Sequence, residues 1–245
     1  MEKTRLSKDE RKALHQKIID ALVSEPLFAE FKYSKSYDGI VKKTKFGHQC
    51  VDMYIQWDGY DLQKKELAVT IMNIGYGVRF DVLHKWFEKY STKILAYQRT
   101  ADSIGRTASM LGFKDPYRLD EYNFVYSGED FEENLAEMVR DIVKVATYFF
   151  DKHRSLEDLY EALVVPVLEG KEELPGVGAD WIFKYLTLTK LVDNKNYDKL
   201  KELILGRTGW MNAEPNIIQY KEKLNEIFEY LEALELEMPP KFPQL

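Results

Sequence analysis

Cysteine is almost missing from this 245-residue chain, in which Cys50 is the single example. One cysteine cannot form an internal disulfide, and it supplies too few ligands for a cysteine-based zinc site. We therefore expect a reducing, cytoplasmic setting. Long apolar runs are missing as well, since no stretch of about 18 apolar residues occurs and the N-terminus is charged throughout. The sequence therefore predicts neither export nor a membrane span.

Motifs with a known chemistry are also missing. No histidine lies three or four residues from another, which is the spacing that places two metal ligands on one helical face. The glycine pairs at 75–77 and 176–178 lack the third glycine of a dinucleotide site, and no Gly-Lys-Ser/Thr of a phosphate-binding loop occurs. We therefore predict no catalytic residue, no metal and no cofactor, and we favour a protein that is not an enzyme. The four histidines are His15, His48, His84 and His153.

Charge is distributed unevenly around a net charge of −6. Residues 1–50 carry 11 Lys or Arg against 7 Asp or Glu, whereas residues 120–173 carry 5 against 15. An acidic segment repels the phosphate backbone of nucleic acid and attracts a basic protein. Solvated helix faces produce the same pattern, because exposed helical positions are commonly charged. The candidate partner contacts in this segment are Glu129, Asp130 and Glu133.

The hydrophobic pattern of the first half changes from helical to alternating. Ser7 and Glu10 have the spacing of a capping box, and a helical stripe follows that Pro26 ends. Residues 28–76 are rich in aromatic and β-branched residues, which predicts an antiparallel meander of three or four strands. Turns are predicted at Asp38-Gly39, Phe46-Gly47 and Asp58-Gly59.

The second half carries mainly helical patterns. Residues 93–111 fit a helix or a strand, and 121–126 are typical of another strand. A long amphipathic helix is predicted after Ser127 and a short one after Ser155. Three further helices are predicted near 179–192, 196–205 and 215–235. We therefore expect an α+β fold, in which an N-terminal helix and an antiparallel meander sheet backed by helices form a domain at 1–166, a linker covers 167–178, and an all-helical subdomain covers 179–245.

The stretch at 80–90 concentrates chemically suggestive side chains. On a helix of about 100° per residue, its apolar residues fill roughly half the circumference and His84 lies at the border. Asp81 and Lys85 are spaced to form an ion pair at i, i+4. We interpret His84 as a satisfied edge residue. The alternative is an enzyme or small-molecule site where the sheet meets this helix, because guanidinium groups recognise carboxylates and phosphates. That site would use Arg79, His84 and Arg99, and Trp86 and Arg106 are further possible ligand or partner contacts.

The basic strands at 31–46 give a second alternative, which is RNA binding. Bases can stack on aromatic rings while lysines meet phosphates. A strand with one buried and one solvated face produces the same alternation, so we expect nucleic acid to be the less favoured partner. The residues concerned are Lys32, Lys35, Lys42, Lys43 and Lys45, together with Phe31, Tyr33, Tyr37 and Phe46.

Three stretches between residues 28 and 163 carry a resemblance to a known family, namely LAVTIMNIGYGVRFDVLHKWFE, TADSIGRTASMLG and ATYFFDKHRSLEDLYEAL. In this order they resemble a family of bacterial α+β proteins without an assigned activity, some of which are associated with bacterial competition systems as immunity or accessory proteins. The resemblance implies an antiparallel sheet backed by helices and no catalytic residues. Together with the acidic segment, it favours a non-enzymatic module that binds a basic protein partner through an acidic helical face.

Overall fold

The computed structural model describes residues 6–61, 66–91, 94–113, 119, 121–125, 131–174, 179–206 and 218–237. Contacts group the chain into two compact units, each built from two chain segments. The first unit comprises residues 1–79 and 104–152, and the second comprises 80–103 and 153–245. The last boundary of this grouping falls at 152/153. The domain boundary that the sequence suggests, in the segment at 167–178, stays a prediction. That the helices of 179–245 form a subdomain of their own stays a prediction.

Helix α1, Lys8–Val23, opens the first unit and carries the predicted capping box. The Glu10 N–H donates to the Ser7 hydroxyl at 3.3 Å, and the Ser7 N–H donates to the Glu10 carboxylate at 2.9 Å. These bonds satisfy two amides that the first turn of a helix leaves without partners. The helix ends before the 3₁₀ helix Pro26–Phe28, as the position of Pro26 predicts. Its buried residues are Leu14, Ile18, Ile19 and Leu22.

A six-stranded sheet forms the body of the first unit. Its strands are β1 Lys32–Ser34, β2 Gly39–Lys43, β3 Gly47–Asp61, β4 Glu66–Phe80, β5 Ile104–Arg106 and β6 Glu121–Val125. The order is β1-β2-β3-β4-β5, and β6 shares the outer edge of β4 with β5. Residues 68–72 of β4 pair with β6, and residues 76–78 pair with β5, in both cases antiparallel. The predicted α+β class, the meander and the strand at 121–126 are therefore confirmed.

Two of the three predicted turns are confirmed. Asp38 has a φ of 49°, in the left-handed region that a tight turn requires, and the Thr44 N–H donates to the Gly47 carbonyl at 2.9 Å. The turn predicted at Asp58-Gly59 is wrong, because β3 continues through both residues to Asp61. Pairing of long strands is more stabilising here than the local turn preference of one dipeptide.

Helix α3, Phe131–Lys152, packs on the sheet of the first unit and confirms the predicted long amphipathic helix. The ring of Phe149 lies 6.3 Å from that of Tyr76 on β4, and Phe150 lies 5.9 Å from Phe31. The predicted apolar stripe is buried along its whole length, at Phe131, Leu135, Met138, Ile142, Val145 and Phe149. The core of the first unit therefore lies between this helix and the sheet.

The second unit is helical. Its helices are α2 Leu95–Thr100, α4 Leu156–Leu163, α5 Val165–Leu168, α6 Ala179–Val192, α7 Tyr197–Gly206 and α8 Ile218–Glu237. The predicted short helix after Ser155 and the three C-terminal helices are confirmed within a few residues. Residues 182–190 of α6 are all buried, so α6 is the central helix of this unit. The sequence of residues 93–111 fits a helix or a strand, and the structure has both there, namely α2 and β5.

The helix predicted at 80–90 is wrong. Only Asp81–Leu83 forms a 3₁₀ helix, and the chain continues to Tyr90 as turns. Several of its hydrogen bonds span three residues, such as Phe87 N–H to His84 carbonyl at 2.9 Å and Tyr90 N–H to Phe87 carbonyl at 3.0 Å. Aromatic and β-branched residues favour an α-helix only weakly. The packing of these side chains therefore determines the backbone conformation of the segment. The predicted Asp81–Lys85 ion pair is nevertheless present, with 2.7 Å between the charged atoms.

Candidate functional site

The residues predicted as partner or ligand contacts lie in both units. Arg79 is 2% exposed in β4 of the first unit, and Arg106 lies in β5 with its Nη1 donating to the Gly105 carbonyl at 2.9 Å. Glu133 is exposed on α3. Glu129 and Asp130 lie outside the described residues. His84, Trp86 and Arg99 belong to the second unit.

His84 is buried and bonded to a serine. Its Nε2 lies 2.9 Å from the hydroxyl of Ser103, and the same hydroxyl accepts the Phe80 N–H at 2.9 Å. A serine next to a histidine is the start of a nucleophile and base pair. Here, however, the hydroxyl already accepts a backbone amide, and both side chains are at most 2% exposed. The pair therefore joins residue 103 to the 80–84 segment. His84 has a hydrogen-bond partner, as a satisfied residue requires, but it is buried and does not lie at an exposed edge.

Trp86 packs on α8 within the second unit. Its ring stacks on Tyr230 with 4.7 Å between centroids and an interplanar angle of 16°. Nearby, the Tyr90 hydroxyl donates to the Glu226 carboxylate at 3.1 Å. Hydrogen bonds from Lys223 and then from Tyr90 lower the pKa of Glu226, which is exposed to solvent. These contacts give Trp86 a packing role, because they hold the 86–90 turns against a helix more than 100 residues later in the chain.

A buried polar network anchors α2. The Gln98 amide donates to the Asp180 carboxylate of α6 at 3.0 Å and also to the Ser91 hydroxyl, which itself donates to Asp180 at 3.1 Å. With Gln98 turned inward, the rest of α2 faces solvent. Ile94 is 74% exposed and Tyr97 55% exposed, and Arg99 is exposed on the same short helix.

His48 and Cys50 form a pair of potential metal ligands on β3 of the first unit. Residues two apart on a strand share a face. The ligand atoms of the two side chains lie within 4.8 Å of each other, and both side chains are buried. The Tyr37 hydroxyl is hydrogen-bonded to His48 Nδ1 at 3.2 Å. Helical spacing does not reveal this pair, because the residues lie on a strand.

The basic strands hold most of their aromatic residues in packing contacts. Phe31 is buried, and Tyr37 is bonded to His48, whereas Tyr33 is 42% exposed. Lys42 forms an ion pair with Glu30 at 2.5 Å. Phe46 is half-buried, with Lys45 Nζ 5.5 Å from its ring centroid. Tyr33 is thus the one exposed ring among the four aromatic residues of the RNA alternative, and it already contacts the His15 ring, with 4.6 Å between centroids.

The acidic segment at 120–173 is divided between the two units. Glu133 on α3 belongs to the first unit, whereas Glu157 and Glu161 on α4 belong to the second and are exposed. Glu169, Glu172 and Glu173 follow α5 and are exposed as well. The segments that make up the second unit carry 15 Lys or Arg against 20 Asp or Glu, which is most of the net negative charge of the chain.

An open groove lies between α7 and α8 of the second unit. It is lined by Lys201, Asn225, Phe228, Glu229, Glu232 and Ala233. Glu232 lies between two lysines, at 3.1 Å from Lys190 Nζ and 3.8 Å from Lys201 Nζ. Sequence patterns do not assemble this cluster, because its members come from three helices. One feature of the sequence that points to this cluster is Lys190, a charged residue within the mostly apolar run of α6.

No family model matches the chain, and the searches of curated proteins and of solved structures also gave no match. The resemblance to a bacterial α+β family therefore stays a prediction. Among the described helices, none is long and apolar enough to cross a membrane.

Proposed function

We propose that the protein is a non-enzymatic binding module of the bacterial cytoplasm, of the immunity or accessory type, which engages a basic protein partner through an acidic helical face. The face comprises the exposed carboxylates of α4 and of the residues that follow α5. Their positions are Glu157, Glu161, Glu169, Glu172 and Glu173. The observation that carries the proposal is that all five carboxylates are exposed in one unit, where Glu169 is paired with Lys171 at 2.7 Å.

The geometry of α4 supports this assignment. Glu157 and Glu161 are four residues apart, so they lie on one side of the helix, and the opposite side buries Leu156, Leu159 and Leu163. Asp158 is not part of the face, because its carboxylate caps the helix by accepting the Ser155 N–H at 3.0 Å. A field of like charges on a surface speeds the encounter with an oppositely charged protein and suppresses binding to nucleic acid.

The chemically suggestive residues at 80–90 give indirect support. His84 and Ser103 bond to each other in the core, and Asp81 pairs with Lys85. A residue that acts on a substrate must reach it within hydrogen-bond distance. Recognition by surface charge does not require a side chain that reaches a bound substrate. It requires only that the carboxylates are exposed to solvent.

Capture of the partner from the native host tests the proposal. The protein is immobilised at low salt, the retained protein is identified by mass spectrometry, and its affinity for the pure module is then measured. We expect a basic partner whose affinity falls as ionic strength rises from about 50 mM to about 500 mM, because screening weakens exposed charge pairs. An affinity that is independent of salt contradicts the electrostatic mechanism.

A matched pair of double variants locates the contact. Glu157→Lys with Glu161→Lys changes the α4 face, and Glu202→Lys with Glu222→Lys makes the same change in net charge at exposed positions of α7 and α8. We expect the first double variant to weaken binding at least about tenfold and the second to weaken it much less. Equal losses would show that overall charge acts and that α4 is not the contact surface.

A further inference from the structure

Helix α3 presents a row of cations to solvent in its C-terminal half. The row consists of Arg140, Lys144, Tyr148 and Lys152, which are spaced four residues apart and are all exposed. Residues with this spacing form a ridge along a helix, here over about 18 Å, and we call these four residues the basic ridge. Within the described part of the chain, none of its three cations forms an ion pair with a carboxylate. Their charge is therefore available to a partner, in a chain whose net charge is −6.

Two aromatic rings hold the lysines of the basic ridge in place. The ring of Phe113 meets that of Tyr148 edge to face, with 5.3 Å between centroids and an interplanar angle of 84°. Lys144 Nζ lies 5.8 Å from the centroid of Phe113, and Lys152 Nζ lies 4.3 Å from that of Tyr148 and donates to its hydroxyl. A lysine that is already held against a ring loses less conformational entropy when it binds a carboxylate.

The turn before Phe113 presents a large apolar side chain to solvent. Phe113 N–H donates to the Ala108 carbonyl at 3.3 Å, and Gly112 N–H donates to the Ser109 carbonyl at 3.1 Å. These two bonds, together with the φ of 72° at Gly112, define a Schellman motif. Met110 lies within this hydrogen-bonded turn and is 68% exposed. Methionine adapts its shape to a partner and is enriched at protein interfaces, so Met110 adds an apolar contact point next to the basic ridge.

We propose that the basic ridge and Met110 bind an acidic segment of another protein. The carboxylates of that segment pair with the three cations of the ridge, and one apolar side chain packs on Met110 and Phe113. About six residues of extended chain cover the length of the ridge. This surface belongs to the first unit, whereas the exposed carboxylates assigned to the basic partner all belong to the second. The two surfaces therefore select partners of opposite charge, and either assignment can fail without the other.

Nucleic acid fits the same surface less well. Asp141 and Asp151 lie on α3 among the cations of the ridge, and Asp151 is exposed. A phosphate backbone carries a charge at every nucleotide, so it cannot avoid these carboxylates. A protein segment can place neutral or apolar residues opposite them and still direct its own carboxylates to the cations.

Three synthetic peptides test the inference on the full-length protein. Each is an acetylated heptapeptide, the first with a central phenylalanine flanked by glutamates, the second with alanine at the centre, and the third with glutamines in place of the glutamates. Binding is followed at about 20 mM salt by calorimetry and by the amide chemical shifts of residues 107–113 and of α3. We expect saturable binding of the first peptide, at least about fivefold tighter than that of either other peptide. Absence of binding up to about 1 mM, or tighter binding of a heptanucleotide of thymidine, overturns the proposal.

A matched pair of double variants locates the charged contacts. Arg140→Glu with Lys144→Glu reverses two cations of the ridge. Lys8→Glu with Lys12→Glu makes the same change in net charge at two exposed positions of α1, which are also four residues apart in the first unit. We expect the ridge variant to weaken binding of the first peptide at least about tenfold and the α1 variant to weaken it much less. Equal losses overturn the assignment of the ridge.

Met110→Gln tests the apolar contact. The substitution keeps the length of an exposed side chain, so we expect the midpoint of unfolding to stay unchanged. Binding of the phenylalanine peptide should weaken about threefold to fivefold, whereas binding of the alanine peptide should not change, because coupling between two substitutions reports a direct contact. Equal effects of Met110→Gln on the two peptides, or no effect on either, overturn the role of Met110.

Discussion

Ser103 connects two segments of the second unit through one buried hydroxyl, which accepts the Phe80 N–H and bonds to His84 Nε2. Ser103→Ala leaves the amide and the imidazole nitrogen without this partner in a site that is closed to water. We expect the free energy of unfolding to fall by about 1–3 kcal/mol, which is the usual cost of an orphaned buried polar group. Urea denaturation measures this change. Ser36→Ala, at an exposed position of a turn, is the control and should leave the midpoint unchanged.

His15 gives the first unit a predictable response to acid. Burial lowers the pKa of His15 below its ordinary value of 6.5, although the charge of Asp38 opposes the effect. The neutral ring therefore fits the folded state better than the protonated ring. The stabilisation is fully present above the unfolded pKa and is lost as pH falls through the folded pKa. We expect the free energy of unfolding to decrease between about pH 7.5 and about pH 5.

The variant His15→Gln isolates this contribution. The two proteins differ only at residue 15, so the difference between their pH profiles reports His15. We expect the variant to lose less stability on acidification than the parent protein does. Parallel profiles would contradict the assignment, as would an NMR titration that places the pKa of His15 above 6.5.

Some single-residue features could be predicted and others could not. The Ser7 capping box and the Asp81–Lys85 pair depend on spacing within a few residues, so the sequence contains all the information they require. The partner of His84 is Ser103, nineteen residues away, and the partner of Lys190 is Glu232 on another helix. Those contacts depend on which elements pack together, which periodicity does not specify.

At the scale of one element, α4 depends on its capping box. Asp158 N–H donates to the Ser155 hydroxyl at 3.1 Å, and the Asp158 carboxylate accepts the amides of Arg154 and Ser155. Ser155→Ala removes the acceptor for one helix amide, and we expect it to lower the free energy of unfolding by about 1 kcal/mol. Chemical denaturation tests this value. Ser155→Thr keeps the acceptor oxygen and should retain most of the stability; an equal loss in both variants would argue against the cap.

The 80–90 segment shows why the conformation of one element is predicted wrongly from its sequence. Its apolar positions suit an amphipathic helix, yet the chain forms turns in which Leu83, Phe87 and Tyr90 are all buried. Phe87 packs on Phe183 of α6 with 4.9 Å between centroids, and Trp86 stacks on Tyr230. Contacts with helices far along the chain thus stabilise a series of turns in place of the α-helix that the local pattern predicts.

At the scale of the whole molecule, the discontinuous segments predict the behaviour of fragments. A chain ending at residue 166 keeps residues 80–103 but lacks their contacts with α6 and α8. We expect this fragment to expose Phe87 and Tyr90, to bind a hydrophobic dye such as ANS, and to unfold without a sharp transition. Dye fluorescence and thermal unfolding measure these properties. A monomeric 1–166 fragment with cooperative unfolding and no dye binding would support the domain boundary predicted from the sequence.

The sequence predicts the fold class and most elements because helix and strand periods are local properties. The predicted division at 167–178 rested on glycine, proline and charge, which indicate a loop. A loop need not separate two units, however, and here α4 and α5 group with α6 through α8. Assigning residues 80–103 to the same unit requires knowledge of contacts such as Gln98 with Asp180, across 82 residues of chain.

Because the second unit consists of two separate chain segments, its first segment is synthesised before the residues on which it packs. Residues 80–103 are synthesised well before Phe183 and Tyr230, with which they pack. At roughly 5–20 residues per second, the last of these partners emerges on the order of ten seconds later. Until those residues are made, Phe87 lacks the ring of Phe183 and Trp86 lacks the ring of Tyr230, on which they pack in the folded protein. Newly made protein should therefore depend on chaperones until α8 has been synthesised.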